Sequence, residues 1–181
     1  MTFQTKLSPA QMQAHIDHGS WRKLASIAQE ITESARKIGG SFFSPVMGGG
    51  TRLMLEIAHR VSDDIDLFID SPNWLGYVSP RLNEDFEDSL RSYSEESSYV
   101  KWQFDEGEID FIVGSRLLNT DLDMQNGLVK FPLESIAEVL AKKLFYRGWA
   151  ITPRDVFDWC MIERLAPLPE DTKALKTNNL R

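Results

Sequence analysis

Three consecutive glycines, Gly48-Gly49-Gly50, divide an apolar run from a segment with helical spacing, and an alternating acidic and apolar string follows after thirteen intervening residues. No other feature limits the possible folds as much. The run Phe42-Phe43-Ser44-Pro45-Val46-Met47 reads as a first strand over 42–47. Thr51 to His59 reads as a helix with Leu53, Leu55 and Ile57 as its apolar positions. Asp64-Ile65-Asp66-Leu67-Phe68-Ile69 reads as a second strand over 64–69. Side chains two apart on a strand share a face, so Asp64 and Asp66 are expected side by side while Ile65, Leu67 and Ile69 enter the core. Two adjacent anions disfavour each other unless a cation joins them. Hard oxygen ligands in that arrangement suit Mg²⁺ or Mn²⁺. A strand, a glycine turn and a helix let backbone N–H groups approach a phosphate closely. Alone, the glycines describe a tight connection and Asp-x-Asp a solvated strand edge. Together, one part can hold a triphosphate and the other its metal.

The rest of the chain supplies helices around this centre. Ser8-Pro9 is an N-cap with proline at the first helical position, predicting a short helix to about Asp17. Ser20 is expected to cap the next, where Trp21, Leu24, Ile27, Ala28, Ile31, Ala35 and Ile38 keep helical spacing until Gly39-Gly40. Ser79-Pro80 predicts a further helix through Leu82, Phe86 and Leu90, with an acidic solvated face. Ser98 to Phe104 and Glu108 to Val113 form a hairpin about Asp105-Glu106-Gly107. Leu128 to Phe131 is expected as a short strand and Leu133 to Tyr146 as a helix. Thr152-Pro153 opens a last helix to about Leu165, and Pro167 and Pro169 begin a loosely ordered tail.

A length of 181 residues and 42% hydrophobic content suit one ordinary globular unit. No apolar run approaches the roughly 20 residues of a membrane span, and the N-terminus lacks an apolar signal core. The lone Cys160 excludes an internal disulfide, is expected as a buried structural thiol, and agrees with a cytoplasmic location. Net charge is −7, which does not announce a nucleic-acid binder. The charge is uneven: residues 1–141 carry 12 Lys and Arg against 22 Asp and Glu, whereas residues 142–181 carry 8 against 5. A basic C-terminal segment can meet phosphate or simply face water. His15 and His18 are expected at the surface. No His and Cys spacing points to zinc, and neither a P-loop nor a nucleophile elbow is present.

Gly49-Gly50, the spacer and Asp64-Ile65-Asp66-Leu67 together resemble the signature of the DNA polymerase β-like nucleotidyltransferase superfamily. More narrowly, Gly49, Gly50, Thr51, His59, Arg60, Ser62, Asp64, Ile65, Asp66, Leu67 and Phe68 match the string of the AbiEii/AbiGii toxin family of nucleotidyltransferases. A second segment, Ala141-Lys142-Lys143-Leu144, Arg147 and Arg154-Asp155-Val156-Phe157-Asp158, is similar to that family's helical Ala-x-Lys-Leu…Arg…Arg-Asp-x-x-Asp.

The resemblance implies an α+β fold: a polymerase β-like nucleotidyltransferase core with a small mixed sheet flanked by helices, and C-terminal helices beyond it. Residues 1–40 would be N-terminal helices packing on the core, 41–131 the core, and 132–181 the C-terminal helical segment of one compact unit. It further implies an active enzyme that moves a nucleoside monophosphate from a nucleoside triphosphate to a hydroxyl of RNA, such as transfer RNA, or of protein. A partner antitoxin and a bacterial growth-arrest or phage-defence role go with it. The alternative is a nucleotide-binding or partner-binding module that keeps the fold. A phosphatase or nuclease would use the same carboxylates but leaves the glycine spacing unexplained.

The resemblance also implies a third metal-binding carboxylate, Asp110, on the strand Glu108 to Val113. The other readings are a solvated strand-edge aspartate, or Glu108 in its place if the register shifts. Gly49, Gly50 and Thr51 would receive the β- and γ-phosphates, with Lys143, Arg60 or Arg154 neutralising charge. Only one of Lys142 and Lys143 is expected to point inward, and the family match favours Lys143. Asp155 or Asp158 would orient a cation or basic side chain, unless both belong to a salt-bridge network between two helices. His59 either braces its helix end or takes part in catalysis, and Ser62 enters as part of the matched string.

Overall fold

A computed structural model describes residues 7–124 and 127–168 of the chain. Among the described residues, five α-helices and five strands are ordered α1 (Pro9–His18), α2 (Trp21–Gly39), β1 (Val46–Gly48), α3 (Gly49–Ile57), β2 (Ile65–Ile69), β3 (Ser92–Glu96), β4 (Tyr99–Gln103), β5 (Glu108–Val113), α4 (Ile136–Arg147) and α5 (Pro153–Leu165). The sheet order is β1-β2-β5-β4-β3. Only β2 and β5 run parallel; the other neighbours are antiparallel, so the sheet is mixed as expected.

Alternation in β2 and β5 decides which face is covered. Ile65, Leu67, Ile69, Ile109 and Phe111 are buried and join Trp21, Leu24, Ala28, Ile31 and Ala35 of α2 in the main core. Asp66, Phe68 and Asp110 therefore stand on the opposite face. A second apolar cluster ties α3 to the last two helices through Leu53, Ala137, Val139, Leu140, Ile162 and Leu168. Capping fixes several helix starts: Ser8 and Thr152 each close a capping box, and Ser135 accepts the Glu138 N–H.

Several elements differ from the sequence expectation. The first strand is only Val46–Gly48; Phe42 is 93% exposed and Pro45 has no N–H to give a ladder. The helix expected from Ser79-Pro80 through Leu90 is replaced by 3₁₀ turns over Pro80–Leu82 and Glu84–Ser89, preceded by another over Pro72–Val78. The Asn83 side chain donates to the carbonyls of Tyr77 and Ser79 and breaks the run. Residues 128–131 form no strand. The free edge of β1 instead meets Leu133, with Met47 N–H donating to Pro132 O and Glu134 N–H to Met47 O, both at 2.9 Å. Helix α4 accordingly begins at Ile136, and β3 is an added edge strand. Cys160 is exposed on the outer side of α5, whose buried positions are Asp155, Asp158 and Ile162. The tail from Pro169 lies outside the described residues.

Candidate active site

The glycine turn and the acidic strand meet edge to edge. Gly48 pairs with Asp66 across the β1–β2 ladder, and Asp66 lies level with Asp110 across β2–β5. Gly49 opens α3 at φ +70°, a conformation L side chains rarely adopt, and a Cβ there would run into the Asp66 carboxylate. Asp64 stands one residue before β2 and its Oδ1 accepts the Glu108 N–H at 3.2 Å. Thr51 is wholly buried, and its hydroxyl donates to the Asp64 carbonyl at 2.5 Å, so this side chain fixes the acidic segment. The neighbouring Asp63 does separate work. Its Oδ1 accepts from the Ser20 hydroxyl at 2.6 Å and from Trp21 N–H at 3.2 Å. Asp63, rather than Ser20, thus satisfies the start of α2.

The electrostatics favour a cation. Burial raises the Asp66 pKa, Asp64 raises it further, and Lys143, Arg147 and Lys101 pull it back. Burial pushes Asp110 up to about 6, against Lys101 and with help from Asp66 and Glu108. Asp110 Oδ1 is buried without a hydrogen-bond partner, while Oδ2 lies 3.1 Å from Lys101 Nζ. Lys101 also donates to Glu108, which in turn accepts from Gln103 at 3.0 Å. Among the described residues, no three His, Cys, Asp or Glu side chains form a ready-made metal cage. The carboxylates of Asp66 and Asp110, their mutual repulsion and the unpartnered buried oxygen are features that a hard divalent ion could satisfy, while Lys101 lies against the other oxygen of Asp110.

The matched basic residues gather behind the turn. A Cβ at Gly50 would lie 2.8 Å from both an Arg60 guanidinium nitrogen and the Ser62 hydroxyl. Arg60 grips Asp158 in bidentate fashion, at 2.6 and 2.9 Å, and His59 Nε2 lies 2.8 Å from the same carboxylate. Lys143 Nζ is 2.7 Å from Asp155 and 3.2 Å from Asp158. Asp155 also accepts from Thr152 and approaches Arg147 at 3.5 Å. Burial opposes ionisation of both aspartates, yet their partners prevail. Lys143 and Thr152 bring Asp155 down to about 2, and Arg60 and His59 hold Asp158 well below the usual carboxylate range. His59 braces this network with its side chain fully buried, whereas Arg154 is exposed.

Both Lys142 and Lys143 turn inward, contrary to the expectation of one. Lys143 is 11% exposed against the aspartates. Lys142 is 4% exposed, pairs with Glu134 and lies 3.5 Å from the Phe68 ring centroid. Glu134, Arg52 and Lys101 lie outside every matched motif. Arg52 donates to the Glu134 carbonyl at 2.6 Å, and Glu134 Oε2 faces Gly48. Only Lys101 left a signal: alternation in Tyr99-Val100-Lys101-Trp102 places it on the face of Asp110.

A comparison with curated protein sequences finds no match. Among solved structures, the solution structure of the antibiotic-resistance factor ANT(2'')-Ia matches with a TM-score of 0.58 at 14% identity, covering 85% of this chain and 89% of that one. The crystal structure of ANT(2'')-Ia in complex with adenylyl-2''-tobramycin gives 0.57 at 13% identity, covering 87% and 97%. At such identity these likenesses establish the fold alone, that of polymerase β-like nucleotidyltransferases. The sequence profile described as "Nucleotidyl transferase AbiEii toxin, Type IV TA system" matches residues 36–179, which takes in the glycine turn, the acidic strands and both C-terminal helices. This chain belongs to the AbiEii nucleotidyltransferase toxin family.

Proposed function

We propose that the protein transfers a nucleoside monophosphate from a nucleoside triphosphate to an RNA hydroxyl, with Mg²⁺ or Mn²⁺ held at Asp64, Asp66 and Asp110. The observation that carries this reading is the level placement of Asp66 and Asp110 beside the Gly49 turn. Bound there, a divalent ion supplies charge neutralisation and lowers the pKa of the attacking hydroxyl. The chain's own groups do the positioning. Backbone N–H groups at the start of α3, where Gly49 and Gly50 carry no side chain, are placed for the β- and γ-phosphates. Thr51 fixes the acidic segment through its hydroxyl on the Asp64 carbonyl, and the Ser62 hydroxyl lies against Gly50. Lys143, fixed by Asp155 and Asp158, sets positive charge near Asp66, whose ionisation it favours.

The toxin family implies a protein antitoxin that restrains this activity in the cell. No helix among the described residues is long and apolar enough to cross a membrane. The test is incubation with each labelled nucleoside triphosphate, Mg²⁺ or Mn²⁺, and total RNA or lysate protein. Labelled RNA that disappears with Asp66→Asn, in a variant of unchanged melting temperature, is the expected result. Label on protein alone would move the acceptor to a protein hydroxyl. Triphosphate binding with no transfer under any condition would leave a binding module.

A further inference from the structure

The third carboxylate is already paired. Lys101 and Asp110 face each other across the antiparallel β4–β5 ladder, and Lys101 Nζ lies 3.1 Å from Asp110 Oδ2. The same ammonium donates to Glu108, two residues earlier on the same strand face. Glu108 is tied by Gln103 at 3.0 Å, so its carboxylate is steadied independently of Asp110. Asp110 keeps its other oxygen buried and unpartnered. The Lys101 side chain is 29% exposed and so is not locked in by packing on every side. A divalent ion shared with Asp66 and a lysine ammonium cannot both press on Asp110 without strong repulsion between them.

We infer that Lys101 is a positioning residue that stands in for the metal at Asp110 and withdraws onto Glu108 when the metal binds. Glu108 is the parking site, because it keeps one of the two bonds Lys101 already makes. The stand-in relieves the repulsion between Asp66 and Asp110 in the metal-free protein. It also makes the full three-carboxylate site conditional on metal occupancy. This inference rests on the metal reading proposed above.

Mn²⁺ titration followed by electron paramagnetic resonance tests it without any turnover. Lys101→Met removes the competing cation and is expected to tighten Mn²⁺ binding by about ten-fold, as for loss of one nearby unit charge. Glu108→Gln weakens the parking site, drives Lys101 onto Asp110, and is expected to loosen Mn²⁺ several-fold. Charge removal alone gives the same two signs but adds in the double variant, whereas under the stand-in the Glu108→Gln effect disappears once Lys101 is Met; additive effects overturn the inference. Unchanged or weaker binding in Lys101→Met, or tighter binding in Glu108→Gln, overturns the inference. Should Lys101→Met fail to fold, Lys101→Gln and Glu108→Gln carry the same comparison. If Asp66→Asn abolishes Mn²⁺ binding while Lys101→Met leaves it untouched, the metal site stands and only the stand-in falls. If the wild-type protein binds no Mn²⁺, both fall.

Discussion

At Gly49 two demands coincide: a positive φ of 70° and an Asp66 carboxylate lying where a Cβ would be. Gly49→Ala should cost about 1 kcal/mol in backbone strain. It must also push Asp66 away from its level with Asp110. A displacement of about 1 Å at a reacting centre can cost about 100-fold in rate. The expected outcome is a folded protein with weak Mn²⁺ binding and nucleotide transfer reduced by that order. Wild-type transfer in Gly49→Ala would separate the turn from the chemistry. The residues behind this prediction were legible because local rules govern them: alternation pairs Asp64 with Asp66, and glycine spacing marks the turn. Thr51, Arg60 and Asp63 were less so. Thr51 looks like a phosphate ligand in sequence but gives its hydroxyl to the Asp64 carbonyl. Arg60 spends its fork on Asp158, a partner 98 residues away that no local pattern reveals. Asp63 looks no different from Asp64, yet it caps α2 because Ser20 and Trp21 happen to arrive there.

Helices α4 and α5 are joined by charge as well as by apolar contact, since Lys143 reaches both Asp155 and Asp158, and Arg147 approaches Asp155. This gives the pair a pH signature. Asp155 has a folded pKa of about 2 against an ordinary value of 3.8. A depressed carboxylate contributes stability that is full above its unfolded value and is lost as pH falls through its folded value. Asp158 is shifted in the same direction. Urea unfolding should therefore show a decline from about pH 4 to 2 from these two aspartates, after a gain between about pH 7 and 4 as Asp110, held up at about 6 by burial, takes up its proton in the folded state. From the shift alone Asp155 accounts for about 2 kcal/mol. Asp155→Asn should remove that much at neutral pH and flatten the acid limb. An acid limb as steep in the variant as in the wild type would falsify this assignment. The start of α5 was readable because Thr152, Pro153 and Asp155 make a local capping box. The segment after Ser79 misled because its apolar spacing is helical, while the Asn83 side chain captures two carbonyls and stops the turn. The strand expected at 42–47 shortened for another local reason, the missing N–H of Pro45.

Across the whole molecule, α3 is the element shared by both apolar clusters: Met54 belongs to the main core under the sheet, and adjacent Leu53 to the cluster with α4 and α5. The glycine turn lies at the N-terminus of this same helix, so the C-terminal helices and the acidic sheet face are registered through it. That relation was not legible in sequence. Leu53 and Met54 are consecutive apolar residues of a short helix, and only tertiary packing assigns them to different clusters. Both are fully buried, and Leu53→Ala should cost about 2–5 kcal/mol, depending on how far the site collapses. The cost should fall unevenly. Leu140 and Ile162 lose a neighbour, whereas Ile65, Leu67, Ile109 and Phe111 keep the packing of α2. Hydrogen exchange on Leu53→Ala should therefore show early loss of protection in α4 and α5, with β2, β5 and α2 still protected. Metal affinity at Asp64 and Asp66 should change less than affinity for triphosphate, because Lys143 is carried by α4. Loss of protection spread evenly through α2 and the sheet would show instead that the two clusters melt as one cooperative unit, with the C-terminal helices no more separable than the strands.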